Sequence, residues 1–150
     1  MPRFYVLILT NKPTKLLIFI FAVTMLIFGG LIYLFFREEV IFVSCVGGCF
    51  PAELPNYNDL ISQDIFGYIF LYLLPDALWY SSLLLVDLLL RSDSWYSKVV
   101  TIVTMALPFI FELLQNVEIV HGTFDWFDIL TYLLTLIIFL LCTKNFYFKD

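Results

Sequence analysis

The sequence predicts an all-α membrane protein: a bundle of four transmembrane helices with a short interfacial or re-entrant helix before the second span. Hydrophobic residues make up 62% of the 150 residues, charged residues only 14%, and the mean hydropathy is +0.96. A soluble domain of this length exposes more surface than so few polar side chains can cover. The apolar residues fall into long runs separated by charged turns. We therefore expect one membrane domain over residues 1–150.

The first predicted span covers residues 16–36, which contain no charged side chain. Lys12 and Lys15 precede this run, and Arg37 follows it. At about 1.5 Å per residue, the run is long enough to cross a hydrocarbon core of about 30 Å. A cleaved signal peptide is the alternative, but the run is too long and no small-residue cleavage pattern follows it. A retained transmembrane helix is favoured.

Residues 65–90 allow two interpretations. As one helix the segment is longer than a membrane requires, and it contains Pro75 near its middle. As two pieces, residues 65–74 form an interfacial or re-entrant helix, and residues 75–90 form the second span. Proline breaks the interior of a helix but is favoured in its first turn. The two-piece interpretation is preferred.

The last two predicted spans are residues 99–117 and residues 129–142. Pro108 interrupts the third span, and a tight loop joins it to the fourth. Asp125 or Asp128 can cap the start of the fourth helix, because an aspartate at this position accepts bonds from free backbone N–H groups. The longest connection is the predicted outer loop, residues 37–64.

The basic residues indicate the orientation. With the N-terminus in the cytoplasm, only Arg37 lies outside, and seven of the eight Lys and Arg residues lie inside: Arg3, Lys12, Lys15, Arg91, Lys98, Lys144 and Lys149. Cytoplasmic loops of membrane proteins carry an excess of such residues. We therefore expect both termini in the cytoplasm, which agrees with an even number of spans. Nucleic acid is not expected as a partner, because the chain has no basic stripe.

Polar residues of three helices converge near the outer face in this topology. A carboxylate in hydrocarbon costs about 2.5–3.5 kcal/mol, so such residues usually face the bundle interior. We therefore predict an acidic cleft that opens outward. The candidate ligand-binding residues are Asp76, Trp79, Tyr80, Glu112, Gln115, His121, Asp125 and Asp128. Helix capping by the aspartates and an interhelical bond from Gln115 are the structural alternatives, whereas Glu112 lies inside its helix and favours a functional role.

Cys45 and Cys49 lie in the predicted outer loop, where the two intervening glycines would permit a disulfide. Two unpaired cysteines are the alternative. No cofactor and no metal site are predicted, because no further cysteine pair or histidine set accompanies them. His121 is the one histidine of the chain and is flanked by acids, but no nucleophile motif accompanies it.

The second half of the sequence resembles the VanZ-like family of bacterial membrane proteins. The matching segments are Pro75-Asp76-Ala77-Leu78-Trp79, the pair Glu112 and Gln115, and the loop Gly122-Thr123-Phe124-Asp125-Trp126-Phe127-Asp128. Where the family often has an asparagine four residues after the second aspartate, this chain has Tyr132, and His121-Gly122-Thr123 stands where the family usually has an arginine. The resemblance implies an envelope role at the outer face of the bacterial cytoplasmic membrane, with a lipid-linked or amphiphilic ligand. The family takes its name from resistance to lipoglycopeptide antibiotics.

Three functions are compatible with these features. The leading hypothesis is an envelope protein without enzymatic activity, which binds a lipid-linked precursor, a lipoglycopeptide or another amphiphile among the membrane lipids. The second is an enzyme that acts on an envelope lipid with the acidic residues as general base or metal ligands. The third is a membrane subunit or assembly factor without a ligand, as an oligomer or with a partner protein.

Overall fold

The computed structural model describes residues 12–36, 65–120 and 122–147. Four helices account for most of these residues: α1 (Lys12–Phe36), α2 (Ile65–Leu90), α3 (Trp95–Asn116) and α4 (Trp126–Tyr147). The described residues contain no strand, and all four helices are long and apolar enough to cross a membrane. The predicted all-α, four-span architecture is confirmed. Cys45 and Cys49 lie outside the described residues, as does the predicted outer loop.

Helix α2 joins the two segments that the sequence separates. An α-helical turn, Ile65–Tyr68, leads into a π-helical segment, Ile69–Leu73, and then into the α-helix Leu74–Leu90. The backbone N–H of Leu74 reaches the carbonyl of Ile69, five residues earlier. Pro75, which has no N–H to donate, therefore lies in the first turn of the second α-helical segment. Proline changes the hydrogen-bonding pattern here without separating a re-entrant helix from the span.

Helix α3 begins four residues before the predicted start of its span. Ser94 caps it: the Ser94 hydroxyl accepts a hydrogen bond from the backbone N–H of Ser97 at 3.2 Å. The helix continues through Pro108, which is buried. Pro108 therefore sits on the side of α3 that packs against its neighbours, where other helices shield the backbone that the proline ring disturbs.

Helices α2, α3 and α4 pack around a small aromatic core. Tyr80 and Leu84 of α2 are fully buried, and Tyr132 of α4 is nearly so. Phe109 of α3 completes a set of three rings in edge-to-face contact, with centroids 5.7 to 6.4 Å apart. These ring contacts link α2, α3 and α4.

Helix α1 packs mainly against α2. Gly29 is buried at this contact, where a Cβ atom would lie 3.3 Å from the carbonyl oxygen of Pro75. The absence of a side chain lets the two backbones approach closely, as small residues do in many membrane helix pairs. The side chains of α1 that face away from α2 are large, apolar and exposed, as expected of a lipid-facing surface.

A buried polar contact links α2 to α3 at the opposite end from Pro75. The hydroxyl of Thr101 lies 2.9 and 3.2 Å from the two carboxylate oxygens of Asp87. Asp87 is only 6% exposed and Thr101 is equally buried. The helices run antiparallel, and Asp76 and Glu112 each lie eleven residues from this pair, about three turns further along. The contact between Asp87 and Thr101 fixes how α2 and α3 are aligned along their axes. Asp76 and Glu112 therefore lie at the same depth at the other end of the bundle.

Candidate functional site

Four carboxylates from three structural segments lie at one end of the bundle. Asp76 is in the first turn of the α-helical part of α2, Glu112 is near the end of α3, and Asp125 and Asp128 lie at the start of α4. We call these four residues the acidic cluster. Asp76 and Asp125 are close enough to Glu112 to interact with it electrostatically. The structure therefore brings Asp76 and Asp125 close to Glu112, and it places Asp128 at the same end of the bundle.

Glu112 is the most enclosed member of the acidic cluster. Its side chain is 4% exposed, and its Oε2 accepts a long hydrogen bond, 3.4 Å, from the backbone N–H of Asp125. A carboxylate removed from water needs strong donors or a cation to compensate for lost hydration. One long backbone bond supplies little of that compensation. A ligand that donates a hydrogen bond would therefore stabilise the buried Glu112 carboxylate.

Asp125 joins three elements of the site. Its Oδ1 accepts a hydrogen bond from the backbone N–H of Phe127 at 2.9 Å, which confirms the predicted cap at the start of α4. Its Oδ2 accepts a bond from the hydroxyl of Tyr68 at 3.1 Å. The ring of Tyr68 also meets the ring of Phe127 edge to face, with centroids 5.9 Å apart. Asp125 thus connects the first turn of α2, the end of α3 and the start of α4.

Two further tyrosines reach the deeper part of the acidic cluster. The hydroxyl of Tyr33, on α1, donates a hydrogen bond to Oδ1 of Asp76. The hydroxyl of Tyr132, on α4, interacts electrostatically with Asp76, Glu112 and Asp128. Tyr132 therefore links the aromatic core, which contains its ring, to the acidic cluster, with which its hydroxyl interacts. Asp76 lies eight residues further along α2 than Tyr68, about 12 Å deeper into the bundle.

Of the other four predicted ligand-binding residues, the structure describes three. Tyr80 belongs to the aromatic core, and its hydroxyl donates to the carbonyl oxygen of Met105 at 2.8 Å. Trp79 is 37% exposed on the outside of α2. The amide of Gln115 packs against Gly122, where a Cβ atom would lie 2.6 Å from its Nε2. His121 lies outside the described residues.

The connection between α3 and α4 has two unusual backbone conformations. Gly122 has a φ of +151°, which glycine adopts without the strain that a side chain would add. Glu118 has a φ of +58°, in the left-handed region that few residues other than glycine, asparagine and aspartate adopt. Beyond Gly122, the backbone N–H of Asp125, directly before α4, reaches Oε2 of Glu112.

Tyr33 and Tyr68 contact the acidic cluster but were not predicted as members of the site. Tyr33 has no polar neighbour in its helix and lies four residues after Gly29. Tyr68 lies in a run of aromatic and aliphatic residues that resembles any lipid-facing segment. The one available signal was that a tyrosine hydroxyl in the apolar part of a helix needs a hydrogen-bond partner. That rule predicts a partner but does not identify it.

The acidic cluster offers many hydrogen-bond acceptors at the end of an otherwise apolar bundle. Carboxylates accept bonds and attract cations, and the hydroxyls of Tyr33 and Tyr68 already donate their protons to Asp76 and Asp125. Such a set suits a cationic or hydroxyl-rich headgroup better than a bare anion. Within the described residues, no three His, Cys, Asp or Glu side chains are grouped closely enough to hold a metal ion.

No protein-family model, curated protein or solved structure matches this chain. The class of protein is therefore defined by its own fold and composition: it is a multi-pass membrane protein with four helices able to span a bilayer. Its distinguishing feature is the acidic cluster at one end of the bundle. The VanZ-like resemblance depends on the sequence motifs alone and stays a prediction.

Proposed function

We propose that this chain is a VanZ-like integral membrane protein of the bacterial cell envelope that binds an amphiphilic ligand at the acidic cluster. The ligand places its polar headgroup among the carboxylates and its apolar part along the outside of the helices. A lipid-linked envelope precursor and a lipoglycopeptide both have this chemistry. The observation that carries the proposal is the grouping of four carboxylates and three tyrosine hydroxyls at one end of an apolar bundle.

The position of the cluster supports an amphiphile rather than a soluble ligand. Phe127 and Trp126 are exposed beside Asp125 and Asp128, and many other side chains around the bundle are large and apolar. Aromatic side chains of this kind concentrate at the interface between hydrocarbon and headgroups. A ligand anchored in the same leaflet reaches the cluster by diffusion in the membrane plane.

The headgroup is expected to supply donors or positive charge. Glu112 is nearly enclosed, accepts only the long bond from Asp125 among the described residues, and lies near two further carboxylates. Ammonium groups and hydroxyls satisfy such acceptors, and a cation that bridges to a phosphate does the same. Binding of this kind relieves repulsion among the acids as well as forming new bonds.

The orientation is part of the same proposal. The acidic cluster faces outward and both termini lie in the cytoplasm, because the bases gather at the other end of the helices. Labelling with a membrane-impermeant maleimide tests this arrangement in a chain whose own cysteines are replaced by serine. Thr123→Cys is expected to react in intact cells, and Ser94→Cys only after the membrane is opened. The reverse pattern would contradict the orientation and leave the cluster unaffected.

Glu112→Gln tests the binding site itself. The substitution keeps size and shape but removes the charge from the most enclosed acceptor. A fluorescent lipoglycopeptide and a fluorescent alkylamine serve as probes with purified protein in nanodiscs. We expect affinity for a bound probe to fall about tenfold or more, the range for hydrogen bonds to charged groups.

Glu118→Gln is the matched control, since Glu118 is an exposed glutamate at the same end of the bundle. It removes the same charge from the surface without touching the cluster, so affinity should change little. Equal losses in both variants would show that only the general negative potential matters. Unchanged affinity in Glu112→Gln, with the fold intact by circular dichroism, would refute the proposed site.

A further inference from the structure

The end of the bundle opposite the acidic cluster carries a second, basic surface. It is formed where α1 begins, α2 ends and α3 begins, and it presents the charges of Lys12, Lys15, Arg91 and Lys98. The three lysines are exposed, and Arg91 is half-buried. We call this set the basic end.

Most of the acidic side chains of the described residues lie at the end of the bundle opposite the basic end. Asp87 is buried at the basic end, and the Thr101 hydroxyl lies within hydrogen-bond distance of both its carboxylate oxygens. Among the described residues at this end, Asp93 is the exposed acid. At the opposite end, the described residues include the acidic cluster and Glu118 but no Lys or Arg. The bundle therefore carries opposite charge at its two ends, about one membrane thickness apart.

Two aromatic side chains stand beside the bases. Trp95 is 73% exposed and Tyr96 is 81% exposed, although both belong to the first turn of α3. Lys98 follows them within the same turn and is also exposed. Tryptophan and tyrosine sit favourably at the headgroup level of a bilayer, and basic side chains next to them attract anionic headgroups.

We infer that the basic end binds the headgroups of anionic phospholipids in its own leaflet, in preference to zwitterionic ones. The ammonium groups of Lys12, Lys15 and Lys98 contact lipid phosphates, while Trp95 and Tyr96 hold the end of α3 at the headgroup level. Charge complementarity identifies the partner, because an anionic surface is attracted to this end and repelled by the acidic one. The inference does not depend on the proposed function of the acidic cluster.

Two exposed tryptophans allow a controlled test. Trp95 at the basic end and Trp126 beside the acidic cluster are each 73% exposed. One variant keeps only Trp95 (Trp79→Phe with Trp126→Phe), and the other keeps only Trp126 (Trp79→Phe with Trp95→Phe). Each is reconstituted in vesicles that contain either brominated phosphatidylglycerol or brominated phosphatidylcholine at the same mole fraction. The measured quantity is the ratio of fluorescence quenching by the two lipids.

We expect the quenching ratio to favour phosphatidylglycerol at Trp95 by about twofold or more, since each nearby base adds attraction to an anionic surface. At Trp126 the ratio should be one or lower. Salt at about 1 M, where the screening length is about 3 Å, should bring the Trp95 ratio close to one. Lys98→Gln should lower it at low salt.

Equal ratios at the two tryptophans, or a preference at Trp95 that salt does not reduce, would overturn the inference. A second measurement keeps the native tryptophans in place. Mass spectrometry of the intact protein released from mixed-lipid nanodiscs counts the phosphatidylglycerol molecules retained. The triple variant Lys12→Gln, Lys15→Gln and Lys98→Gln should retain fewer of them than the wild type, and an unchanged count would also overturn the inference.

Discussion

Gly29 and Gly30 are adjacent on α1 and differ in what a methyl group would meet. A Cβ atom on Gly29 would lie 3.3 Å from the carbonyl oxygen of Pro75 and 3.5 Å from the Cβ of Leu78. A Cβ atom on Gly30 would have no heavy atom within 4 Å apart from its chain neighbours and the nearby backbone of α1 itself. The substitutions Gly29→Ala and Gly30→Ala therefore add the same group to the same helix, and only one of them presses on α2.

The expected magnitudes follow from these distances. Replacing glycine by alanine inside a helix stabilises it by about 0.5–1 kcal/mol, because less backbone entropy is lost. Gly30→Ala should show this gain. At Gly29 the closest atom belongs to the backbone of Pro75, which cannot rotate away, and overpacking of this kind costs about 1–3 kcal/mol. We expect Gly29→Ala to be less stable than Gly30→Ala by about 1–3 kcal/mol.

Steric trapping in bilayer-like micelles measures the free energy of unfolding of both variants. A second readout comes from Tyr33, one turn after Gly29, whose hydroxyl donates to Asp76. If Gly29→Ala moves α1 away from α2, then Tyr33→Phe should cost less in that background than in the wild type. In the Gly30→Ala background Tyr33→Phe should keep its full cost.

Equal stabilities for Gly29→Ala and Gly30→Ala would refute the close packing of α1 on α2 at this point. A lower stability of Gly29→Ala with an undiminished cost of Tyr33→Phe would refute only the coupling between the glycine contact and the acidic cluster.

Three further substitutions test other contacts by the same unfolding measurement. Thr101→Val removes the donor to Asp87 and should cost about 1 kcal/mol, the usual scale of such bonds inside membranes; a Thr101→Ser variant that keeps the donor should lose less. Tyr80→Phe removes one buried hydrogen bond but keeps its ring contacts, so we expect a loss of similar size, and no loss would contradict that bond. Gly122→Ala adds a side chain at a φ of +151° and displaces the amide of Gln115, with an expected cost of about 1–3 kcal/mol. Alanine at the exposed neighbour Thr123 should have little effect.

The class of the protein and the end of the bundle at which its acids lie could be predicted from the sequence. Both depend on the composition and on the order of apolar and polar residues along the chain. Hydrocarbon must be crossed by helices of a minimum length with few charges, so the composition and the runs of apolar residues determine four spans. The alternation of spans then places the acidic positions of α2, α3 and α4 at one end. The cap at Asp125 followed in the same way, because a helix start has free N–H groups that a nearby aspartate satisfies.

The contacts between side chains of different helices could not be predicted from the sequence, because they depend on the tertiary structure. Periodicity places Tyr80 on the same face of α2 as Asp76, yet Tyr80 is sealed in the aromatic core and bonds to Met105, because the rings of Phe109 and Tyr132 close over it. Likewise Tyr33 and Tyr68 join the acidic cluster only because α1 packs on α2 and the start of α2 meets the start of α4.

The sequence by itself determined how many times the chain can cross a membrane and which polar groups share one end of the helices, since the cost of placing each residue in hydrocarbon is local to that residue. Only the tertiary structure decided which hydroxyl meets which carboxylate, that Pro75 follows a π-helical segment without ending α2, and that Glu112 is the enclosed member of the cluster. These features arise from contacts between segments that are distant in the sequence. Such contacts depend on how the helices are aligned and how closely their backbones approach, and neither leaves a pattern in the sequence.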